Sequence, residues 1–328
     1  MKASIAIIYA LLGLSCASCQ EKSAIKLSLS VTDDAGSPVS QASIETDVFD
    51  HWKPGEGFGK DIFKRITVVT DKAGIATLEV ASARCDLVFS ATKIGYYQGK
   101  ADFKSTIRAD GRWQPWNKRL EIRLNRVLQP IPLMAKLVAD ETRQHIPMPN
   151  ERAAYDLEVG DWVAPHGKGR ISDLKFELKG GTKDASVPYD STMTLAFSHP
   201  GDGIIVQESG VFPPSALRMP YSAPAAGYLP EITWRKARLA GAATGIDRII
   251  DETKPTQNYF LRLRTVLNEK GEIVSAHYAK VCRGFTWYAS GYIKFQYHFN
   301  PAANNRNLEF DLKRNLLKVN PGQAVIDP

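Results

Sequence analysis

The sequence predicts an all-β protein: a small β-sandwich followed by a second β-rich, sandwich-like domain. Two observations carry this. Apolar residues recur at every second position in run after run, the mark of strands with one buried face. Clusters of Gly, Asp, Asn and Pro interrupt those runs, as turns do in a sandwich. Composition is that of a globular chain, neither fibrous nor disordered.

The N-terminus stands apart. Lys2 makes a short positive start, Ile5 to Leu14 is a nearly unbroken apolar run, and Ser15, Ala17 and Ser18 are the small residues of a signal-peptidase site. Residues 1–19 therefore read as a signal peptide, and the product as exported, to the cell envelope or periplasm. The run is about ten residues, short of the roughly twenty that span a bilayer as a helix. Cys16 and Cys19 sit just past it. Leu12-Gly13-Leu14-Ser15-Cys16 resembles a bacterial lipobox, with Gly13 where an aliphatic residue is usual, and Cys19 follows the small pair Ala17-Ser18. Lipid attachment is expected at Cys16, with Cys19 the alternative, ahead of plain cleavage after Ala17. Membrane contact is expected only through such an anchor.

The remaining 309 residues (328 minus 19) suit about two domains. Formal charge is +7, but basic and acidic residues are interleaved with no long Lys/Arg block, which argues against nucleic acid. Loose attraction to anionic envelope polymers or lipids is compatible with that charge. Cys85 and Cys282 remain after processing. They can pair in an oxidising compartment only across an inter-domain contact; the plainer expectation is two buried small hydrophobes.

Residues 20–128 read as seven short strands. Ile25, Leu27, Leu29 and Val31 oppose Lys26, Ser28 and Ser30; then come Ala42-x-Ile44-x-Thr46, Ile66-x-Val68-x-Thr70, Ala76-x-Leu78-x-Val80 and Cys85-x-Leu87-x-Phe89-x-Ala91. A sixth ends near Phe103, and Leu120, Ile122 and Leu124 close the set. Asp33-Asp34-Ala35-Gly36-Ser37-Pro38 and Asp71-Lys72-Ala73-Gly74 are turns. The hairpin Val31 to Val39, Thr70 to Gly74 leading into Ala76, and Lys93-Ile94-Gly95-Tyr96-Tyr97 after the fifth strand resemble the carboxypeptidase-regulatory-like, prealbumin-like module over roughly the first third of the chain. The resemblance implies a prealbumin-like sandwich with an accessory, non-catalytic role. The insert Val48 to Lys64 departs from the short form of that module.

Residues 129–150, with Pro130, Pro132, Pro147 and Pro149, read as a stiff linker. Residues 151–328 then alternate again: Leu174-x-Phe176-x-Leu178, Met193-x-Leu195-x-Phe197, Gly203 to Gln207, a hairpin of Tyr259–Leu267 with Ile273–Val281, and Ile293-x-Phe295-x-Tyr297-x-Phe299. Pro213 to Pro230 reads as a long loop and Ala237 to Ile250 as a short helix. Tyr155 to Trp162, with Asn304 to Phe310, resembles exported bacterial proteins of unknown function, a likeness that names no chemistry.

Motifs for catalysis fail on spacing. Gly55-Glu56-Gly57-Phe58-Gly59-Lys60 has three residues where a phosphate loop needs four, and Asp61 where it needs Ser or Thr. No serine stands in a nucleophile-elbow frame. His51, His145, His166, His199, His277 and His298 are scattered without ligand spacing, so no metal and no cofactor is expected. Asp247 and Asp251, at i and i+4 of the expected helix, lack the burial that an acid catalyst needs. The candidate ligand loop is Gly160 to Gly169, where Trp162, His166 and Lys168 combine an aromatic plane, an imidazole and an ammonium; the plainer expectation packs Trp162 and leaves the other two in water. Trp113 with Trp116, and Arg262 with Arg264 on one strand face, raise the same choice. The leading expectation is a non-catalytic envelope protein that binds a protein or glycan partner or acts as a spacer. The alternative is a hydrolase acting on envelope or extracellular polymer through the second domain.

Overall fold

The computed structural model describes residues 21–55, 58–139, 145–148, 150–209, 215–241, 247–254 and 256–328. The signal segment, with Cys16 and Cys19, lies outside them. The chain is all β: the described residues hold no α-helix, and one 3-10 turn, Pro321–Gln323.

The first sandwich is built from β1 (Ser23–Asp33), β2 (Ser43–Lys53), β3 (Lys60–Val69), β4 (Ile75–Ser82), β5 (Cys85–Thr92), β6 (Gly99–Ser105), β7 (Arg108–Ala109), β8 (Arg112–Trp113) and β9 (Lys118–Leu124). One sheet runs β4-β1 with β9 and β8 both parallel to β1, and the other runs β3-β2-β5-β6. Ile25, Leu27, Leu29 and Val31 of β1 point into a shared core with Leu87, Phe89, Leu120 and Ile122, as the alternation requires. Cys85 lies buried in that core, unpaired, its thiol pushed up to about 11 by burial. Trp113 is buried, donating from Nε1 to the Ser82 carbonyl at 3.0 Å, with the Arg108 guanidinium 4.1 Å over its ring.

The insert forms a ribbon that overhangs the sheet. β2 pairs with β5 only over Ser43–Thr46, whereas the β2–β3 ladder continues to Lys53 and Lys60. Trp52 (51% exposed), Phe58 (96%) and Phe63 (53%) stand in solvent there. Gly59 is required by close approach, since a Cβ would collide with the Trp52 indole.

The remaining strands are β10 (Ile131–Val138), β11 (Arg152–Asp156), β12 (Asp161–Trp162), β13 (Leu174–Lys179), β14 (Tyr189–Ala196), β15 (Gly203–Glu208), β16 (Glu231–Leu239), β17 (Arg248–Asp251), β18 (Gln257–Leu267), β19 (Ile273–Trp287), β20 (Ile293–Asn300) and β21 (Phe310–Asn315). They make two six-stranded sheets, β15-β18-β19-β20-β10-β21 and β12-β11-β13-β14-β16-β17. Both contribute to an aromatic core of Tyr155, Trp162, Phe176, Trp234, Phe285, Trp287, Phe295 and Tyr297. The opposite face of the first of these sheets is buried too. Phe260, Tyr278 and Cys282 there pack under Met219, Ala223, Leu308, Phe310 and Val325, which come from the loop after β15 and from the last segment of the chain.

Two expectations are corrected here. Residues 131–138, expected as linker, form β10 inside the sheet, between β20 and β21. The prolines hid a strand whose Leu133, Ala135 and Val138 are all buried. Pro132 has no N–H to give a ladder, and it sits where the β10–β21 register shifts. Beyond it the Asn315 side chain takes the ladder's place, accepting from Ala135 N at 3.0 Å and donating to Ala135 O at 2.7 Å. The expected helix over 237–250 is instead the hairpin β16–β17, with residues 242–246 outside the described set. Ala237 opposes Ile250, and Asp251 pairs with Lys236 across the ladder at 2.8 Å. The period-two face of Ile232 and Trp234, which packs on the aromatic core, outweighs the helical spacing of the two acids.

β9 leads into β10 with no free tether. The buried Glu309 carboxylate accepts from Leu128 N (2.8 Å), Gln129 N (2.6 Å) and the Tyr97 hydroxyl (2.9 Å). Ala216 N donates to Gln98 O at 2.8 Å, and the Tyr221 hydroxyl to Arg126 O at 2.7 Å. A fragment spanning 151–328 lacks β10 and leaves β20 and β21 without their shared partner. It should fail to fold, whereas 129–328 should give a cooperative thermal melt. A cooperative melt from the shorter fragment, followed by far-UV circular dichroism, would refute the placement of β10.

Candidate functional site

The loop from Asp156 to Asp173 is held by buried carboxylates. Asp156 Oδ1 accepts from the backbone N–H of Glu158 (2.9 Å) and Val159 (3.1 Å), and Oδ2 from Arg170 (2.8 Å) and Ile171 (3.0 Å). Burial raises this carboxyl, but the four N–H groups outweigh it and hold it below the ordinary carboxylate range. Asp161 Oδ2 accepts from Lys168 N at 2.9 Å, and Gly169 N closes the loop on Trp162 O at 2.8 Å. At Gly169 a Cβ would fall 2.8 Å from both Asp156 Cβ and Asp161 O, so glycine is needed.

Beneath the loop lies Arg264. It takes a positive φ of 53° where the β18–β19 register shifts between Leu263 and Val266. The bulge turns its side chain from the solvated strand face that the sequence predicts toward three acids. Nε and Nη2 reach Asp173 at 2.8 and 2.9 Å, Nη1 reaches Glu158 at 2.5 Å, and Asp156 Oδ1 lies 3.6 Å from Nη2. Burial opposes the Arg264 charge, but Asp173 and Glu158 outweigh it and raise its pKa. Burial likewise pushes the Asp173 carboxyl up, even against the guanidinium. The guanidinium also lies 4.9 Å over the Phe299 ring, on which His277 stacks at 5.8 Å.

The structure does not bring the three residues of the candidate loop together. Trp162 is buried edge-on against Tyr155 (5.3 Å, 86°) and Phe176 (6.0 Å, 77°). His166 and Lys168 are exposed. Arg262 donates to Gly201 O at 2.6 Å and lies 4.5 Å over Tyr228. Trp116 is half-buried, with Arg112 4.9 Å over its ring. Asp247 and Asp251 face Arg238 and Lys236.

A second polar centre was not anticipated from sequence. Lys280 and His298 are register partners on β19 and β20, both fully buried on the sheet's outer face. Lys280 Nζ donates to the Pro328 carbonyl oxygen at 2.9 Å, and His298 Nε2 lies 3.1 Å from Asp327 O. With its proton on Nε2, the ring leaves Nδ1 without a hydrogen-bond partner among the described residues. Asp327 receives Arg283 in a fork of 2.8 and 3.0 Å, with Arg218 at 3.5 Å. The sequence gives little signal, because Lys280 and His298 stand in strands that also carry His277, Arg283, Lys294, Gln296 and Asn300.

Beside this centre, Lys236, Asp251, Lys254, Arg283 and Tyr288 line an open groove of about 310 Å³. Its charges are largely paired: Lys236 with Asp251, and Arg283 with Asp327. Lys236 also sits 5.4 Å over Trp287. The described residues hold no group of three or more side chains placed to bind a metal ion.

No protein-family model matches this chain, and no curated protein matches it. Among solved structures, a chlorocatechol 1,2-dioxygenase from Pseudomonas putida is similar over 32% of this chain and 61% of its own, at 14% identity and a TM-score of 0.24. A variant of the catechol 1,2-dioxygenase of Acinetobacter radioresistens is similar over 36% of this chain and 57% of its own, at 12% identity and a TM-score of 0.25. The major pilin subunit of Bacillus cereus is similar over 85% of this chain and 96% of its own, at 11% identity and a TM-score of 0.21. The chain thus spans about three fifths of the length of the two dioxygenases. Likenesses at these TM-scores carry no argument about activity.

Arg264→Ala would strand Asp173 as a buried charge and should destabilise the chain by about 3–5 kcal/mol. His166→Ala and Lys168→Ala should each stay within about 0.5 kcal/mol of the parent. Urea unfolding of the three variants measures both, and an Arg264→Ala midpoint equal to the parent's would refute the first.

Burial, then the Lys280 charge, hold the His298 imidazole well below its ordinary 6.5. Below that value the unfolded chain binds a proton that the folded chain refuses. Stability is therefore full at neutral pH and falls as the pH drops through about 6.5. Asp327 and the Phe310 ring are the other groups packed against this histidine. His298→Gln should flatten the fall in Tm between about pH 7.5 and 5.5; a variant with the parent's slope would rule this out.

Proposed function

We propose that this chain is an exported, non-catalytic protein of the cell envelope that binds a protein or glycan partner or holds one at a distance. One observation carries the reading. The six buried carboxylates of the described residues, Asp33, Asp156, Asp173, Asp202, Glu309 and Asp327, are all engaged by cationic side chains, backbone N–H groups or a hydroxyl. A general acid or base must pass a proton to a substrate within hydrogen-bond reach. These acids instead pin loops and strands.

On this reading the first sandwich serves as an accessory module of the carboxypeptidase-regulatory-like kind. Its overhanging ribbon offers Trp52, Phe58 and Phe63, and exposed aromatic surface of that sort is what partners cover. His166 and Lys168 stay available to a ligand, while Trp162 does not. A lipid on Cys16 or Cys19 would hold the assembly at a membrane.

The mature chain, screened by thermal shift against envelope glycans, peptides and divalent metals, should gain Tm with a glycan or peptide, because a ligand selective for the folded state stabilises it. Mass spectrometry of the same mixtures should find no bond cleaved; cleavage would turn the reading into the hydrolase. In the same programme, radiolabelled lipid should enter the parent chain and be lost with Cys16→Ala or Cys19→Ala. An unlabelled parent rejects the anchor.

A further inference from the structure

The groove over the outer face of β19 and β20 is filled by the chain's own residues 320–328, and the manner of filling is unusual. Val325, Asp327 and Pro328 are buried while Ala324 before them and Ile326 between Val325 and Asp327 are exposed, Ile326 at 76%. The segment thus lies extended, with alternate side chains inserted, yet it forms no ladder. Its bonds to the rest of the protein come from receptor side chains: Lys280 to Pro328 O, His298 to Asp327 O, and Arg283, Arg218 and Gln296 to the Asp327 carboxylate. Upstream, Leu316 N donates to Leu133 O at 2.9 Å. Between that bond and Asp327, residues 318–326 make hydrogen bonds only among themselves, Gln323 N to Asn320 O and Ala324 N to Pro321 O. The strap is therefore hydrogen-bonded to the body only at its far end; its other attachments are apolar, Val325 seated in the cluster over the sheet and the 321–323 turn lying against β10.

We infer that this groove is a peptide-recognition site whose partner is the same strap of a second copy of the chain, so that copies assemble by exchanging residues 320–328. An emptied receptor would strip Lys280, His298 and Arg283 of the partners that the strap supplies and uncover the apolar face beneath Val325. It calls for an extended peptide that brings two carbonyl oxygens and one carboxylate in the order Val-x-Asp-Pro. The strap of a neighbouring copy meets that need contact for contact, and the lack of hydrogen bonds along the approach to Asp327 lets it depart. Exchange of an identical element is a low-cost route to an oligomer. The proposal deepens the binding role above by naming the partner, and its test is separate: the ligand screen uses the parent chain with its groove filled.

Asp327→Ala weakens the chain's own strap and leaves the receptor intact. A labelled peptide spanning residues 316–328 should bind this variant about a hundredfold tighter than the parent, whose tethered strap competes at high effective concentration. The same peptide carrying Asp327→Ala should bind neither. In native mass spectrometry, isotopically heavy and light parent chains incubated together should yield mixed dimers. If Asp327→Ala does not fold, a parent chain with a protease site between Lys318 and Pro321, cut after folding, should trade its strap for the labelled peptide. A folded variant or cut chain that ignores the peptide overturns the proposal, and so does peptide uptake without mixed dimers of the full chain.

Discussion

Burial of both faces of one antiparallel sheet is the constraint on which the rest of this structure depends. Antiparallel sheets commonly leave one face in water and show clean alternation of apolar and polar residues. Here β20 turns Phe295, Tyr297 and Phe299 to the aromatic core, and Gln296, His298 and Asn300 to an outer face that is buried as well. Polar groups placed there must find partners inside the protein, because an unpaired one costs the full desolvation of the group. The outer cover therefore cannot be an inert lid. It supplies Asp327, Pro328, Asn305 and Asn307 as acceptors for His298, Lys280 and Asn300. The sheet and its cover thus satisfy each other's polar groups, and β10 belongs to that arrangement because without it the two strands nearest the cover lose their common neighbour.

The buried acids answer a related need in the loops. Loops between short strands leave many N–H groups without ladder partners, and a buried one must be satisfied locally. A carboxylate with two oxygens and about four lone-pair directions does this efficiently. Asp156 receives four such donors and Glu309 two, with a tyrosine hydroxyl besides. The first organises the Gly-rich loop around Trp162, and the second seats the entry to β10 against the first sandwich. Both carboxylates thus join segments of backbone that no ladder connects.

Much of the fold was legible. Each alternating run, from Ile25-x-Leu27-x-Leu29 to Ile293-x-Phe295-x-Tyr297, is a strand with the expected face inward. The packing of Trp162 and Trp113, and the burial of Cys85 and Cys282, also follow from composition and period. What was not legible shares one physical origin. Ile131–Val138 was masked by prolines that normally mark linkers, and its strand character depends on Asn315, far along the chain, standing in for ladder bonds. The 237–250 hairpin was masked by acids at helical spacing whose partners, Lys236 and Arg238, lie on the facing strand. Arg264 was read on a strand face because a bulge cannot be seen in a period. In each case a long-range partner overrode a local pattern, and local patterns are all that a lone sequence displays.

The two polar centres also differ in a way that bears on what the protein can do. At Arg264 one guanidinium serves three acids, and all four side chains belong to parts of the chain fixed by strands or by the Asp156 bonds. Opening that centre would break the loop and the bulge together. At Lys280 the receptor belongs to the sheet, while its ligand belongs to a segment whose approach carries no bonds to the body. The hydrogen bonds of the strap to the body are therefore concentrated at one end, and a contact of that kind can open as a local unit above the sheet. Opening forfeits the partners of Lys280, His298 and Arg283 and uncovers the apolar face under Val325 unless another peptide enters, so the arrangement favours transfer of an occupied groove over display of an empty one.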